Sequence, residues 1–535
     1  MKIRIILVII TLFMISTSCN NTLDVQSTRL VSEVNMWNKV ADAKAGIFGV
    51  YGLARAALND NCRHWIYGDL RTVSPVGSAG PVGGDFRSVT RLDLKAVATN
   101  NLKATYPLLE ALSNWTKFYA TINAANVFME NAPNIVKNDP TYLPSDLKLD
   151  IANVRAIRAF MYFYMVRIWG DVPLILASHD GQFDNKPREN QQTVLAFVES
   201  ELLATIPDLP VIYDGSQPES PKTYYKNMNL WEPVKKHSVY AILAHVYAWE
   251  GKYANAAVCA KWVLDNMALP ALARPADGNQ AETIFFMNVD QMRQMFRGEF
   301  GFNQYNILFG FSHNFINGET TTTGVLEELT LAAPYITNKA LPAIYVPKDT
   351  VLSVFKEPND VRFYLDPIVS KPASDRYFGA FDRAYPIFTK VFIVRDNNPP
   401  LNTLKGPGSD GAIATFGSAT VFTRPEDMEL LLAEADVVLG NTADATTYLN
   451  AARVNRGLPV YNALVNGTLI DAIFAERRRE LMGEGHRWYD LIRYKKIKNN
   501  DPAFNTLIQN GGIYWPISQS VLNENPLLVQ NAAWN

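Results

Sequence analysis

The chain has 535 residues, 48% of them hydrophobic and 11% aromatic, so it can bury a large core and is not disordered as a whole. Its 50 basic and 52 acidic residues leave a formal charge of -2, which gives no support to a nucleic-acid partner held by the general field of the surface. Ten Trp, 24 Tyr and 27 Phe supply flat apolar faces with polar edges, and most of these belong in a core.

Lys2 and Arg4 precede an apolar run from Ile5 to Ile15 that is too short to span a bilayer, and Ser16-Thr17-Ser18-Cys19 follows as a small-residue cleavage site. Residues 1–18 therefore read as an export signal, and the pattern resembles that of bacterial lipoproteins, with Ser16 standing where an aliphatic residue is usual. On that resemblance Cys19 becomes the acylated first residue, and residues 19–40 are its tether. No later stretch is long and apolar enough to cross a membrane. Cys62 and Cys259 are too few for a disulfide framework and have no zinc spacing; Cys259, between alanines in a helical pattern, reads as a small buried side chain.

Ala41 to Ala57 carries apolar residues at helical spacing, interrupted by Gly46, Gly49 and Gly52, which predicts a helix packed closely against a neighbour. Asn61 to Asn101, with GSAGPVGGDF inside it, reads as a loop region, with a short helix as the alternative for part of it. From Tyr106 to Glu130 the period is strongly helical, with Leu109, Leu112, Trp115, Tyr119, Ile122, Ala125 and Met129 on one stripe and Pro133 as its end. A second long helix is predicted from Leu147 to Trp169, stopped by Gly170-Asp171-Val172-Pro173.

Val239 to Asp265 shows the small-and-large alternation of a tetratricopeptide helix pair around Gly251-Lys252-Tyr253. Leu430 to Val454 repeats that grammar around Gly440-Asn441, so the two units imply a stack of helix pairs interrupted by insertions. Such a stack can offer a broad surface to a protein partner; the plainer reading is that the pairs fill the core. Between them, Asn288 to Ala419 is rich in Gly, Pro, Asn, Thr and aromatics and predicts short strands and long loops.

Near the C-terminus, Glu476 to Tyr494 reads ERRRELMGEGHRWYDLIRY. Glu476, Glu480 and Glu484 form one acidic line on a helix with Arg477, Arg478 and Arg479 around it; Gly483 and Gly485 break the pattern and Arg487 restarts it. A solvated charged face is the common meaning of such a run, but Leu481, Trp488, Tyr489, Leu491 and Ile492 are interleaved, which predicts buried, paired charges with an architectural role.

This stretch closely resembles the C-terminal signature of the SusD/RagB family of surface nutrient-binding lipoproteins of Bacteroidetes. Trp115, Tyr119, Ile122, Asn123 and Asn126 resemble a first signature of that family, and Arg158-Ala159-Phe160 with Trp169-Gly170-Asp171-Val172-Pro173-Leu174 a second. Asp360 and Arg362 match its Asp-x-Arg pair, and Ile513-Tyr514-Trp515-Pro516-Ile517 with Asn525-Pro526 its ending. The resemblance implies a mainly α, SusD-like fold with tetratricopeptide-like helix pairs and a loop-rich insertion containing short strands. The expected parts are an N-terminal helical portion over 41–287, the insertion over 288–420 and the signature region over 421–535.

Catalytic signatures are absent from the sequence. Six histidines, His64, His179, His237, His245, His313 and His486, share no ligand spacing, so no metal site is predicted. Ser178-His179-Asp180 cannot converge on one atom, and Gly406-Pro407-Gly408-Ser409-Asp410-Gly411 is a loop whose proline removes a phosphate-facing amide. Asp69, Asp85, Glu299 and Glu319 could form a glycosidase pair only if brought together, and loop carboxylates are usually solvated. Two loop clusters have the composition of a sugar site, aromatics for stacking and polar groups for hydroxyls: Trp65, Tyr67, Asp69 and Arg71, and Phe302, Asn303, Tyr305, Phe309 and Phe311. Each of these aromatics has core packing as its plainer role. What the resemblance implies is a non-catalytic outer-membrane lipoprotein, on the extracellular face and without a cofactor, that captures oligosaccharide for a TonB-dependent, SusC-like barrel transporter. A peptide ligand, a surface glycan hydrolase and a pure scaffold are the alternatives.

Overall fold

The apolar spacing near the start forms a helix, α1 (Val40–Asn59), with Ala43, Ile47, Val50, Ala54 and Ala57 buried. In this computed structural model the described residues are 36–71, 77–78, 107–178, 185–211, 213, 233–267, 287–296, 307–312, 321–336, 339–395 and 415–534. The export signal, Cys19 and most of the tether lie outside them. Of the three glycines in α1 only Gly46 is required by packing: a Cβ there would meet the Phe128 ring at 2.8 Å, whereas Gly49 and Gly52 face open space.

The stripe from Leu109 to Met129 is helical but divided. A short helix, Pro107–Ser113, ends at Asn114, whose side chain accepts the Thr116 N–H at 2.8 Å and starts α2 (Thr116–Asn138). Pro133 does not end this helix. It forfeits one N–H, but Ala132 and Ile135 beside it are buried, and packing of that last turn outweighs the lost bond. Next, α3 (Pro144–Trp169) is buried along nearly its whole second half and stops at Gly170, whose φ of +74° a side chain would resist.

Both tetratricopeptide-like pairs form as the alternation predicts. After α4 (Gln191–Thr205) come α5 (Lys236–Glu250) and α6 (Tyr253–Asp265), joined at Gly251. Far along the chain, α7 (Pro425–Leu439) and α8 (Thr442–Asn455) are joined at Gly440. The second helix of the first pair packs on the first helix of the second pair, so each of α1 to α8 lies against the next in one continuous stack. Then α9 (Leu469–Glu480) packs on α7 and α8, and α10 (Arg487–Lys498) returns along it.

The insertion holds short antiparallel pairs: β1 (Phe309–Phe311) with β2 (Thr420–Thr423), Tyr364–Asp366 with Lys371–Ser374, and Phe378–Gly379 with Ile387–Phe388. Ile344–Tyr345 pairs with Gly77–Ser78. Short helices, Leu326–Thr330 and Lys348–Val354, stand among them, so the architecture is mainly α with minor strands.

Everything converges on the end of α9. Glu480 is fully buried and receives hydrogen bonds from three guanidinium groups: Arg456 at 2.7 Å, Arg424 at 3.0 Å and Arg362 at 3.1 Å. Glu476 pairs with Arg362 at 2.7 Å, and Glu484, already in the turn after α9, takes Arg424 at 2.9 Å and the Lys390 ammonium. Arg362 also holds Asp360 at 2.8 Å, so the Asp-x-Arg pair belongs to the same network. Around the other side of α9, Arg477 binds Asp427 at 2.9 Å and Asp490 at 3.0 Å, and Arg493 binds Glu434 and Asp490, each at 2.7 Å. The turn between α9 and α10 is closely approached: any side chain at Gly68 would collide with the Gly485 carbonyl.

Removing one member of a buried ion-pair set leaves the others uncompensated. Glu480→Gln is therefore expected to lower stability by about 3–5 kcal/mol in urea unfolding at pH 7, because three arginines lose their shared countercharge. A loss below about 1 kcal/mol would mean that the network does not hold the fold together.

Candidate functional site

The first loop cluster turns out to be largely core. Trp65, Tyr67 and Arg71 are buried, and Tyr67 sits edge-on to Trp169 and Trp515 with its hydroxyl donating to the Leu112 carbonyl. Arg71 has no exposed surface; it donates to the carbonyls of Gly512, Ile513 and Tyr514 and lies 4.7 Å from the Trp488 ring. It clasps the C-terminal segment, and burial alone pushes it down to about 9. Phe309 and Phe311 likewise leave the expected stacking platform: as β1 they face Phe160, with Phe309 edge-on at 4.8 Å. The alternation that makes an aromatic loop attractive for sugar is here the alternation of a strand sealed into the core. Asn303 and Tyr305, with Phe302, lie outside the described residues.

Trp65 and Asp69 do reach a cavity. It lies between α9, the turn after it, α10 and the insertion, and has a volume of about 100 Å³. Its walls are apolar, from Trp65, Leu326, Ile344, Val346, Phe388 and Met482, with Tyr345, Thr330 and Thr350 adding hydroxyls. Arg477, Arg478, His486, Arg487 and Asp490 also line it. Asp69 accepts the Gly485 N–H at 2.7 Å, and burial raises its carboxyl to about 7. Sequence reading passed over Arg478 and Arg487 as part of a charge run, although a helical wheel separates Arg478 from its neighbours: at about 100° per residue it points some 160° away from Glu476 and Glu480.

The sequence pattern of the SusD family matches residues 417–534, the portion that carries α7 to α10. A SusD superfamily protein from Bacteroides thetaiotaomicron, known from its crystal structure, is 38% identical and superposes with a TM-score of 0.77, covering 94% of this chain and 100% of its own. The chain belongs to the SusD family. A SusD-like protein of Formosa agariphila is 26% identical over 533 residues, 97% of this chain and 96% of that one. A laminarin-binding SusD-like protein shares the fold at 20% identity, with a TM-score of 0.62 and coverage of 92% of this chain and 99% of its own.

In this SusD-family protein the histidines that looked scattered are partly assembled. His245, Asp427 and His486 bring ligand-type atoms within 4.8 Å of one another in the core. Asp427 is already fully used: Oδ2 accepts the Thr423 hydroxyl at 2.8 Å and lies 2.7 Å from His245 Nε2, while Oδ1 takes Arg477. A guanidinium at 2.9 Å opposes a cation on the same carboxylate, so this cluster is a polar joint between α5, α7 and α10. His64 makes a similar joint, with Nε2 donating to the Glu484 carbonyl at 3.0 Å and Nδ1 accepting from Tyr164 at 2.8 Å, and burial holds it neutral down to about 3.

Titration of these buried groups sets the acid limit of the protein. Burial would raise Glu476 and Asp490, but Arg362 and Arg479 around the first, and Arg477 and Arg493 around the second, hold each at about 2. Carboxyls lowered in the folded state stabilise it above their unfolded values, and that contribution disappears as pH falls through the folded ones. Asp69 and Glu327, raised to about 7 by burial, work in the opposite sense between neutrality and their unfolded values, then level off. The lowered histidines still oppose folding there: His486 and His237 titrate at about 4. Below about pH 4 the raised carboxyls and these histidines have levelled off and the lowered carboxyls set the slope, so urea unfolding at pH 5, 4 and 3 should show stability falling, with the larger loss between pH 4 and 3. A flat profile across that range would contradict the pairing of Glu476 and Asp490.

Proposed function

We propose that this protein is a surface lipoprotein, anchored to the outer membrane through Cys19, that binds oligosaccharide and hands it unchanged to a TonB-dependent, SusC-like barrel transporter. The observation that carries the reading is the family likeness along the whole chain, 38% identical to a SusD superfamily protein over that protein's full length. A laminarin-binding protein with the same fold makes glycan the leading ligand class. No described helix is long and apolar enough to cross a membrane, so attachment in this reading rests on acyl chains.

The arrangement of charge supports binding rather than bond-breaking. The buried carboxylates around α9, Glu476, Glu480, Glu484, Asp427 and Asp490, are each bound to arginine or lysine, which suits ion pairing and not proton transfer to a substrate. Of the loop carboxylates that could have formed a glycosidase pair, Asp69 is the described one, and it accepts a backbone N–H. The continuous stack from α1 to α8 gives a broad, rigid side for a large protein partner.

Titration calorimetry of the purified protein against a panel of glycans and peptides, followed by chromatography of the mixture, separates the readings. Heat with an intact glycan is the expected result; cleaved glycan would make it a hydrolase, heat from peptides alone would change the ligand class, and silence throughout would leave a scaffold. In cells, Cys19→Ser should move the protein from the membrane fraction to the soluble fraction while leaving glycan binding unchanged, and retention in the membrane would overturn the lipid anchor.

A further inference from the structure

Arginines near the end of α9 are, with two exceptions, engaged. Arg477 holds Asp427 and Asp490, Arg479 holds Glu476, and Arg493 holds Glu434. Arg478 and Arg487 form no hydrogen bond or ion pair with a side chain among the described residues, yet both are half-buried and both line the apolar cavity beside Trp65. The Arg487 Nε is sealed from solvent without a hydrogen-bond partner. The two cations also disfavour each other: burial first, then the charges of Arg487 and Arg479, pushes Arg478 down to about 10.

Asp69 and Asp490 line the same space and their charges favour Arg487, but neither carboxylate bonds to either guanidinium, so two half-buried cations keep unused donors there. Their planar forks match an oxyanion, which each can take through paired N–H donors. A volume of about 100 Å³ holds several waters, enough for a carboxylate or sulfate group. Hydroxyls of Thr350 and Tyr345 on the walls can meet the remaining oxygens.

We propose that this cavity is an anion pocket in which Arg478 and Arg487 grip the carboxylate or sulfate ester of an acidic saccharide. The proposal rests on the reading of the protein as a saccharide binder and narrows it to charged sugars at this position. Arg478 and Arg487 are then binding residues, and the strain of their unpaired state is relieved by the ligand.

The test is calorimetry of the full chain with D-glucuronate, D-glucose 6-sulfate, D-glucose and sodium sulfate, repeated on Arg478→Gln, Arg478→Lys and Arg487→Gln. At least one acidic sugar should bind, with D-glucose at least tenfold weaker, and which of the two binds tells carboxylate from sulfate ester. Arg478→Gln should weaken that binding at least tenfold without lowering the melting temperature, since it removes a like-charge contact, and Arg478→Lys should recover part of the loss. Should Arg487→Gln fail to fold, Arg478→Gln carries the test alone. Equal affinity for D-glucose, sodium sulfate binding as tightly as the sulfated sugar, no binding of either acid, or an Arg478→Gln affinity within twofold of the parent would each overturn the proposal. Binding of neutral glycans that survives Arg478→Gln would leave the general saccharide reading standing while this pocket fell.

Discussion

Glu480 and the three arginines around it are the constraint on which the rest of the molecule depends. Arg362 comes from the insertion, Arg424 from the start of α7 and Arg456 from the end of α8, so one carboxylate ties three segments to α9. In a dry interior such a charge is tolerable only when all its partners have arrived. Any arrangement that leaves one segment undocked strands a buried charge, which penalises half-assembled packings more sharply than apolar contact does. Asp360, Glu476, Glu484 and Lys390 extend the same rule outward.

This explains how a helical stack tolerates a long interruption. The second pair, α7 and α8, lies against α6 although the whole insertion separates them in sequence, and ion pairs from the middle of the insertion meet under α9. The insertion is thereby held at two points near its middle, through Arg362 and Lys390. Family members can share this frame and differ in the loops that the frame carries, which is consistent with a fold kept at 20% identity.

The same network marks where function can reside. Carboxylates bound to several arginines are fixed in both charge and position and are poor proton carriers. The charges left over, Arg478 and Arg487, line a cavity with mostly apolar walls, where Asp69 and Asp490 are near but bond to neither.

By itself the sequence determined the helix pairs, because alanine alternation and the turn glycines Gly251 and Gly440 are local signals that local geometry obeys. It also determined that most of the charges from Glu476 to Arg493 are buried, since hydrophobic residues interleaved at helical spacing leave them little solvent side. Even the direction of Arg478 could have been read from the wheel. What only the tertiary structure decided is which aromatics are core and what each charge meets. Tyr67, Arg71, Phe309 and Phe311 have the composition of a sugar site, and their burial follows from partners such as Ile513, 442 residues away from Arg71. Likewise Pro133 stays helical because of packing its own neighbours cannot reveal, and His245 meets Asp427 across 182 residues. The reason is the same in each case: periodicity is written in a dozen consecutive residues, whereas burial depends on surfaces contributed by segments that meet only when the chain has folded.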